Sequence, residues 1–341
     1  MNIVFRVDSS TQIGAGHLMR CLTLADELKK QAHNIVFICR ELNGNLISLI
    51  KHKVLTLPVT QGFLSNDFYL NWLGATQEDD AKQTIEVLSK NIDLLIVDSY
   101  GLGELWHQQL RKFTQKIMVI DDLANRQFDC DILLNQNLGS KKEEYVDKVS
   151  ESCQLLLGCD YALLRSEFVE FRGEVLAKRQ QTKVIKHILI SMGGSDSKNL
   201  TYEVLQQLDN NFNIIVVLGS VSPHNEMIEN YAKNKKNIKV IIDADNMAEL
   251  MFNADLAIGA GGSTSWERCC LALPTLLFVT AENQRKIVQN LEKLGAVKIV
   301  KQLKDDLKIL IDNFAFWQEM SQKSQTICDG LGVKKVGSVC S

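Results

Sequence analysis

The strongest constraint on how this 341-residue chain folds is an alternation of short apolar runs with helix-like stretches, laid down twice. The first series is Ile3–Asp8, Ile35–Cys39, Val54–Leu57, Leu94–Val97, Ile117–Ile120 and Ile132–Leu134. The second is Ile188–Ser191, Ile214–Leu218, Ile238–Ile241, Leu256–Ile258, Leu276–Val279 and Val297–Val300. Between runs lie helical patterns, such as Leu18, Leu22, Ala25 and Leu28 at spacings of four and three. Runs that are apolar throughout belong to strands buried on both faces, hence to parallel sheets covered by helices. The length exceeds one ordinary core and fits two domains of roughly 150 residues.

The expected class is α/β, with two doubly wound Rossmann-like domains facing across a cleft. Arg172–Lys183 is polar and charged and is read as the linker. The domains are therefore drawn as 1–172 and 184–311, followed by a helical segment, 312–341. In that segment Phe316, Met320 and Ser324 share a helical face, and it is a candidate to pack back on the first domain. In doubly wound sheets ligands bind outside the carboxyl ends of the strands, so the strand-to-helix loops carry the chemistry.

Composition removes several functional classes. Hydrophobic residues at 45% and charged residues at 23% describe an ordinary soluble globular chain. A net charge of −3 gives no basic footprint for nucleic acid. No apolar run approaches the roughly 20 residues of a spanning helix, and Met1-Asn2-Ile3 does not open like a signal peptide. The nine cysteines form no C-x-x-C pair, so they read as reduced thiols of a cytoplasmic protein. The six histidines and the cysteines lack ligand spacing, and no metal is expected.

The first loop after a strand runs Asp8-Ser9-Ser10-Thr11-Gln12-Ile13-Gly14-Ala15-Gly16-His17. Gly14 and Gly16 remove side chains from around His17, where a ligand can approach the backbone at a helix start. His17 suits proton transfer near neutral pH and is the candidate catalytic base. Asp8, at the carboxyl end of the first strand, either binds substrate, tunes His17 or forms an Asx cap. The dinucleotide fingerprint is incomplete: Met19 stands where its third glycine belongs, and the second strand ends in Arg40 rather than an acid. No nicotinamide cofactor, and no cofactor of any kind, is expected.

In the second half, Gly193, Gly194 and Ser195 lead into Asn199 and a helix, and Gly262, Ser263 and Thr264 lead into another that carries Glu267. Two small-residue loops at strand ends favour a diphosphate. Glu267 repels phosphate but accepts hydrogen bonds from a ribose diol; its bland reading is a first-turn glutamate favoured by the helix dipole. Asp98-Ser99-Tyr100 and Asn135-Gln136-Asn137, at two further strand ends, offer polar tips for sugar hydroxyl and amide groups, or ordinary loop hydrogen bonds.

These motifs together resemble the UDP-2,4-diacetamido-2,4,6-trideoxy-β-L-altropyranose hydrolases (PseG) of bacterial pseudaminic acid biosynthesis. The matching stretches are Arg6-x-Asp8 with Gly14-x-Gly16-His17, Asp98-x-Tyr100, Leu133-x-Asn135-x-Asn137, Met192-Gly-Gly-Ser-Asp196 with Asn199, and Gly261-Gly-Ser-Thr-Ser-Trp-Glu267. Ala281-Glu282-Asn283-Gln284 and Asp329-Gly-Leu-Gly-Val333 match as well, in order and over nearly the whole chain. The resemblance implies a GT-B fold like that of MurG-type glycosyltransferases, with UDP held by the second domain. It implies His17 as general base for water, without metal. Asn199 and Glu267 match donor-binding positions, Glu267 at the ribose. Met247, in Asp245-Asn-Met-Ala248, matches a uracil-facing loop, and Tyr100 a cleft tyrosine. The implied partners are a small-molecule UDP-sugar and other enzymes of that sugar pathway, which serves flagellin or capsule glycosylation.

Chemistry read from the residues is compatible with hydrolysis. UDP leaves well without a general acid, so the paired carboxylates of ordinary glycosidases are unnecessary. Backbone donors at Gly193–Ser195 and Gly262–Thr264 would hold the departing diphosphate, and one base on the opposite face suffices. Two rivals keep the same donor: an inverting GT-B glycosyltransferase, in which a sugar hydroxyl replaces water, and a nucleotide-sugar-binding protein without turnover.

Overall fold

The computed structural model describes residues 1–88 and 92–341, and the side chains at 282 and 283 lie outside that description. Part of the Ala281–Gln284 motif therefore falls outside the described residues. The chain divides into two compact units, Met1–Leu163 with Gly332–Ser341, and Leu164–Leu331.

The first unit holds β1 (Asn2–Val7), β2 (Asn34–Arg40), β3 (Lys53–Leu57), β4 (Ile92–Asp98), β5 (Thr114–Ile120), β6 (Ile132–Asn135) and β7 (Gln154–Leu157). Its sheet is parallel throughout, in the order β3-β2-β1-β4-β5-β6-β7. Burial on both faces is visible along β1. Ile3, Phe5 and Val7 enter one core with Leu18, Leu24 and Leu28 of the helix Gly16–Lys30, while Val4 enters a second core with Trp106 and Tyr145. This is what unbroken apolar strands require.

The second unit holds β8 (His187–Ser191), β9 (Asn213–Leu218), β10 (Ile238–Ile242), β11 (Leu256–Ala260), β12 (Thr275–Phe278) and β13 (Lys298–Ile299). The order is β10-β9-β8-β11-β12-β13, again parallel. Both sheets thus repeat the doubly wound order, and each reverses direction beside its first strand, at β1/β4 and at β8/β11. All twelve expected strands are present. β7 is the addition, a four-residue strand too short to stand out from the polar stretch before it.

The expected linker is not one. Residues 166–181 form a single helix, Ser166–Gln181, inside the second unit. Its charges cap neighbouring helix ends. Arg179 donates to the carbonyls of Met251 (2.8 Å) and Ala254, Lys178 to Phe252 (2.8 Å), and Arg172 to Cys270 and Gln325 (2.8 Å). Cations at the last carbonyls of a helix are stabilising, which is why a buried face here carries Arg and Lys.

The last thirty residues also divide. The helix Phe314–Ser324 buries Trp317 and Met320 in the core of the second unit, and the Trp317 indole donates to the Asp255 carbonyl at 2.9 Å. The helix Gly332–Cys340 instead places Val333, Val336 and Cys340 in the core of the first. Among the described residues no helix is long and apolar enough to cross a membrane, and no two cysteines form a disulfide.

Candidate active site

In the register of β1 with β4, Val7 pairs with Asp98, so Asp8 and Asp98 stand at the carboxyl ends of the two central strands. The loop after β1 is closed by the Gly14 N–H donating to Ser10 O at 2.8 Å, with Gly14 at φ +78°, a conformation that favours glycine. A Cβ on Gly14 or Gly16 would meet open space, so the chain is bare on the side a ligand approaches. The helix Gly16–Lys30 then begins with no side-chain cap and no acidic residue in its first turn.

His17, 12% exposed, points its Nδ1 at Asp98 Oδ1, 2.6 Å away. Arg20, one turn on, grips the same carboxylate with Nε to Oδ2 (2.6 Å) and Nη2 to Oδ1 (2.7 Å). Its Nη1 reaches Asp122 Oδ2 at 2.7 Å, which also accepts from the Tyr100 hydroxyl at 2.8 Å. The Tyr100 ring meets the His17 ring edge-on, with centroids 4.6 Å apart. Burial alone would raise the Asp98 pKa, but the Arg20 charge, then His17, hold it well below the usual carboxylate range. Burial, with Asp122 beside it, pushes the Tyr100 phenol well up, so Tyr100 is a hydrogen-bond donor here.

An ionised Asp98 fixes the proton of His17 on Nδ1 and leaves Nε2 with its lone pair. Among the described residues Nε2 has no hydrogen-bond partner. Asp8, His17, Asp98 and Tyr100 line one small, solvent-open pocket with Trp72 and Ile13.

Asp8 does not orient His17. Its Oδ1 accepts from Arg6 Nη1 and from the Arg40 backbone N–H, both at 2.6 Å, while its Oδ2 is buried without a partner among the described residues. Asp80, with the Trp106 indole donating to it at 3.0 Å, anchors Arg6 (2.5 Å) and Arg40 (2.7 Å) from behind. Arg40 is thus spent on structure rather than on a nucleotide ribose. Asn137 lies outside this pocket, its N–H donating to Asn135 Oδ1 at 3.0 Å and its carbonyl accepting from the Ser140 hydroxyl at 2.7 Å.

In the second unit both expected loops flank the β8/β11 switch point. Gly193 sits at φ +89°, and Gly193, Gly194 and Ser195 are exposed. A Cβ on Gly219, after β9, would lie 2.8 Å from Gly194 Cα, so the two loops touch backbone to backbone. Asp196 accepts from the N–H groups of Leu200 (2.9 Å) and Thr201 (3.0 Å), closing the turn. Asn199, at φ +55°, donates to Met227 Sδ at 3.3 Å and leaves Oδ1 without a partner among the described residues.

After β11, Gly262 (φ +148°), Ser263 and Thr264 lead into the short helix Thr264–Cys270. Arg268, buried, donates to Ala260 O at 2.7 Å and to Ser265 Oγ at 3.2 Å, and burial lowers its pKa to about 10. A Cβ on Gly259 would lie 2.5 Å from Ser191 O, which is why the strand narrows to glycine there. Glu267 Oε2 is buried and has no partner among the described residues; burial raises its pKa, and Arg165 and then Arg268 oppose the rise. Met247 opens the helix Met247–Asn253, next to the Asp245 carbonyl that accepts from Arg165 at 3.2 Å.

Three groups escaped the sequence reading as parts of the site: Asp98 as the partner of His17, and Arg20 and Asp122 behind it. Arg20 carried a usable signal, three residues after His17 on one helix face. Arg268, bracing the second loop, stands one residue past Glu267. Among the described residues no group of three or more His, Cys, Asp or Glu is arranged to hold a metal ion.

Comparison with known proteins adds three findings. The glycosyltransferase family 28 C-terminal domain matches residues 176–328. The UDP-2,4-diacetamido-2,4,6-trideoxy-β-L-altropyranose hydrolase of Campylobacter jejuni is 31% identical over 296 residues, covering 86% of this chain and 97% of that protein. An uncharacterized protein of Methanocaldococcus jannaschii is 32% identical over 300 residues, covering 84% of this chain and 57% of that longer protein. This chain belongs to the family of the Campylobacter hydrolase.

Acinetobacter baumannii MurG superposes with a TM-score of 0.64 at 16% identity, covering 100% of this chain and 99% of that one. With two six- or seven-stranded parallel sheets of doubly wound order, the hydrolase-family chain has the GT-B fold.

Proposed function

We propose that this chain hydrolyses a UDP-linked 2,4-diacetamido-2,4,6-trideoxyhexose to UDP and the free sugar, in the cytoplasm, as a step of pseudaminic acid biosynthesis. The observation that carries the reading is the His17 Nδ1–Asp98 contact of 2.6 Å, in a glycine-opened pocket at the β1/β4 switch point. Supporting it is membership in the family of a relative named as that hydrolase.

His17 Nε2 takes a proton from water as the water oxygen bonds to the anomeric carbon. The bond from that carbon to the diphosphate oxygen breaks, its electron pair leaves with UDP, and the centre inverts. Asp98 stays ionised and stabilises the imidazolium that forms, while Arg20 holds the carboxylate in place. The buried Asp8 Oδ2, without a protein partner, accepts a hydrogen bond from the sugar. In the second unit the Gly193–Ser195 and Gly262–Thr264 backbones receive the diphosphate, and Asn199 and Met247 lie toward the nucleotide. Glu267 Oε2 receives a ribose hydroxyl, which offsets the cost of burying it unpaired. No metal takes part.

The glycosyltransferase family 28 domain favours one second reading, transfer of the sugar to an acceptor hydroxyl. Incubation with UDP-sugars alone separates the two. Free sugar and UDP in equal amounts support hydrolysis; UDP release that depends on an added acceptor supports transfer. Binding without UDP release overturns both.

A further inference from the structure

The pocket at His17 has an apolar part that the chemistry above does not use. It comes from the helix Phe68–Leu73, with Trp72 and Leu73 in the lining. The Trp72 ring lies 6.1 Å from that of Tyr100, and Tyr69 and Phe68 stand 5.4 and 5.2 Å from Trp72. The helix is firmly held. Asp67 caps it by accepting from Tyr69 N (2.8 Å), Gly74 closes it at φ +70°, and Asn71 exchanges two 2.8 Å hydrogen bonds with the Ser65 backbone. Gly101, just past Tyr100, brings it close: a Cβ there would lie 2.8 Å from Tyr69 O. Phe68 remains 63% exposed.

We infer that Trp72, presented by this aromatic helix, is a specificity-determining wall that receives the apolar substituents of the sugar, its C6 methyl and an acetamido methyl. The inference rests on the UDP-sugar reading above. Aromatic faces offer large apolar area at low entropic cost, and a hexose with hydroxyls at C4 and C6 would lose their hydration against such a wall.

The chain supplies its own probe. Of its four tryptophans, Trp106, Trp266 and Trp317 are fully buried, leaving Trp72 as the half-buried one. Full-length protein titrated with free 2,4-diacetamido-2,4,6-trideoxyhexose should show a saturable change in tryptophan emission, and N-acetylglucosamine a much weaker one. The change should vanish in Trp72→Phe, which removes the indole that reports it. It should also shrink in Gly101→Ala, which retains the indole but crowds its helix. Trp72→Ala should lower kcat/KM for the diacetamido UDP-sugar about tenfold relative to UDP-N-acetylglucosamine, the scale of losing an apolar group's pocket, with UDP affinity unchanged. An emission response equal for both sugars, no response at all, or unchanged selectivity in Trp72→Ala overturns the inference. Wild-type protein that binds the sugar through Trp72 but releases no UDP overturns the hydrolase reading instead.

Discussion

At the residue scale the site turns on which atom of His17 holds its proton. Asp98, ionised and doubly bonded by Arg20, keeps that proton on Nδ1. His17→Asn retains much of the shape but no basic nitrogen, and should lower kcat by about 10²–10⁴, the worth of a positioned base. Asp98→Asn keeps the volume but no longer fixes the tautomer, and a loss of about 10⁴ in kcat is expected by analogy with other His–Asp pairs. Asp98 keeps its charge because its pKa is depressed. Steady-state kinetics on the two variants check both. An Asn variant at position 17 within a few-fold of wild type would move the base elsewhere, with Asp8 the next candidate. A second histidine acts on stability alone. His107 is fully buried with both ring nitrogens unpartnered, and burial, then Arg126 and Arg111, push its pKa down to about 3. Between about 6.5, the unfolded value, and about 3 the unfolded chain binds a proton that the native chain refuses, so stability falls as pH drops through that window. From pH 7 to pH 5 this group should cost about 2 kcal/mol. His107→Phe, keeping the stack on Phe128, should remove that share in urea titrations. Of this residue-level detail, His17 and Tyr100 were legible in the chain because they sit in loop motifs. The pairing of His17 with Asp98 was not, since 81 positions separate them and only the register of β1 on β4 brings them together.

At the scale of elements, period and breakers exposed the strands, while charge misled. The helix Ser166–Gln181 reads as a solvated linker because its Arg and Lys look exposed in sequence. In the fold they are sinks for the carbonyl ends of neighbouring helices, a role no local pattern reports. The terminal helix Gly332–Cys340 is similar. Its apolar face is visible at Val333, Val336 and Cys340, but its destination depends on two glycines. A Cβ on Gly332 would lie 2.5 Å from the Tyr161 carbonyl carbon, and one on Gly337 would lie 3.1 Å from Gln31, which caps the helix that carries His17. The Tyr161 contact is backbone and cannot rotate away. Gly332→Ala should therefore destabilise the first unit by about 1–3 kcal/mol, the usual cost of overpacking. A lowered urea midpoint checks this, and unchanged stability would mean that the terminal helix is only loosely docked.

For the whole molecule, two sheets of the same doubly wound order give two switch points, and the proposed chemistry divides between them. His17, the proposed base, and Asp98 stand at β1/β4, and the small-residue loops at β8/β11. Such a division makes nucleotide affinity and turnover separable by mutation. Activity should survive excess EDTA, because backbone donors and Glu267 are assigned the work on the nucleotide; activity restored only by adding back a divalent ion would overturn that. Glu267 offers the sharper test. Its buried Oε2 lacks a partner among the described residues and its pKa is raised, so the unliganded protein bears a desolvation cost that a ribose hydroxyl would relieve. Glu267→Ala should weaken UDP binding by about 1–3 kcal/mol, as for a lost hydrogen bond to a charged group. His17→Asn should leave UDP affinity nearly intact while abolishing most turnover. Calorimetry with UDP on the two variants reads the division directly. If His17→Asn loses affinity and Glu267→Ala keeps it, the nucleotide belongs to the β1/β4 end, and the unpaired Glu267 oxygen would need a different ligand.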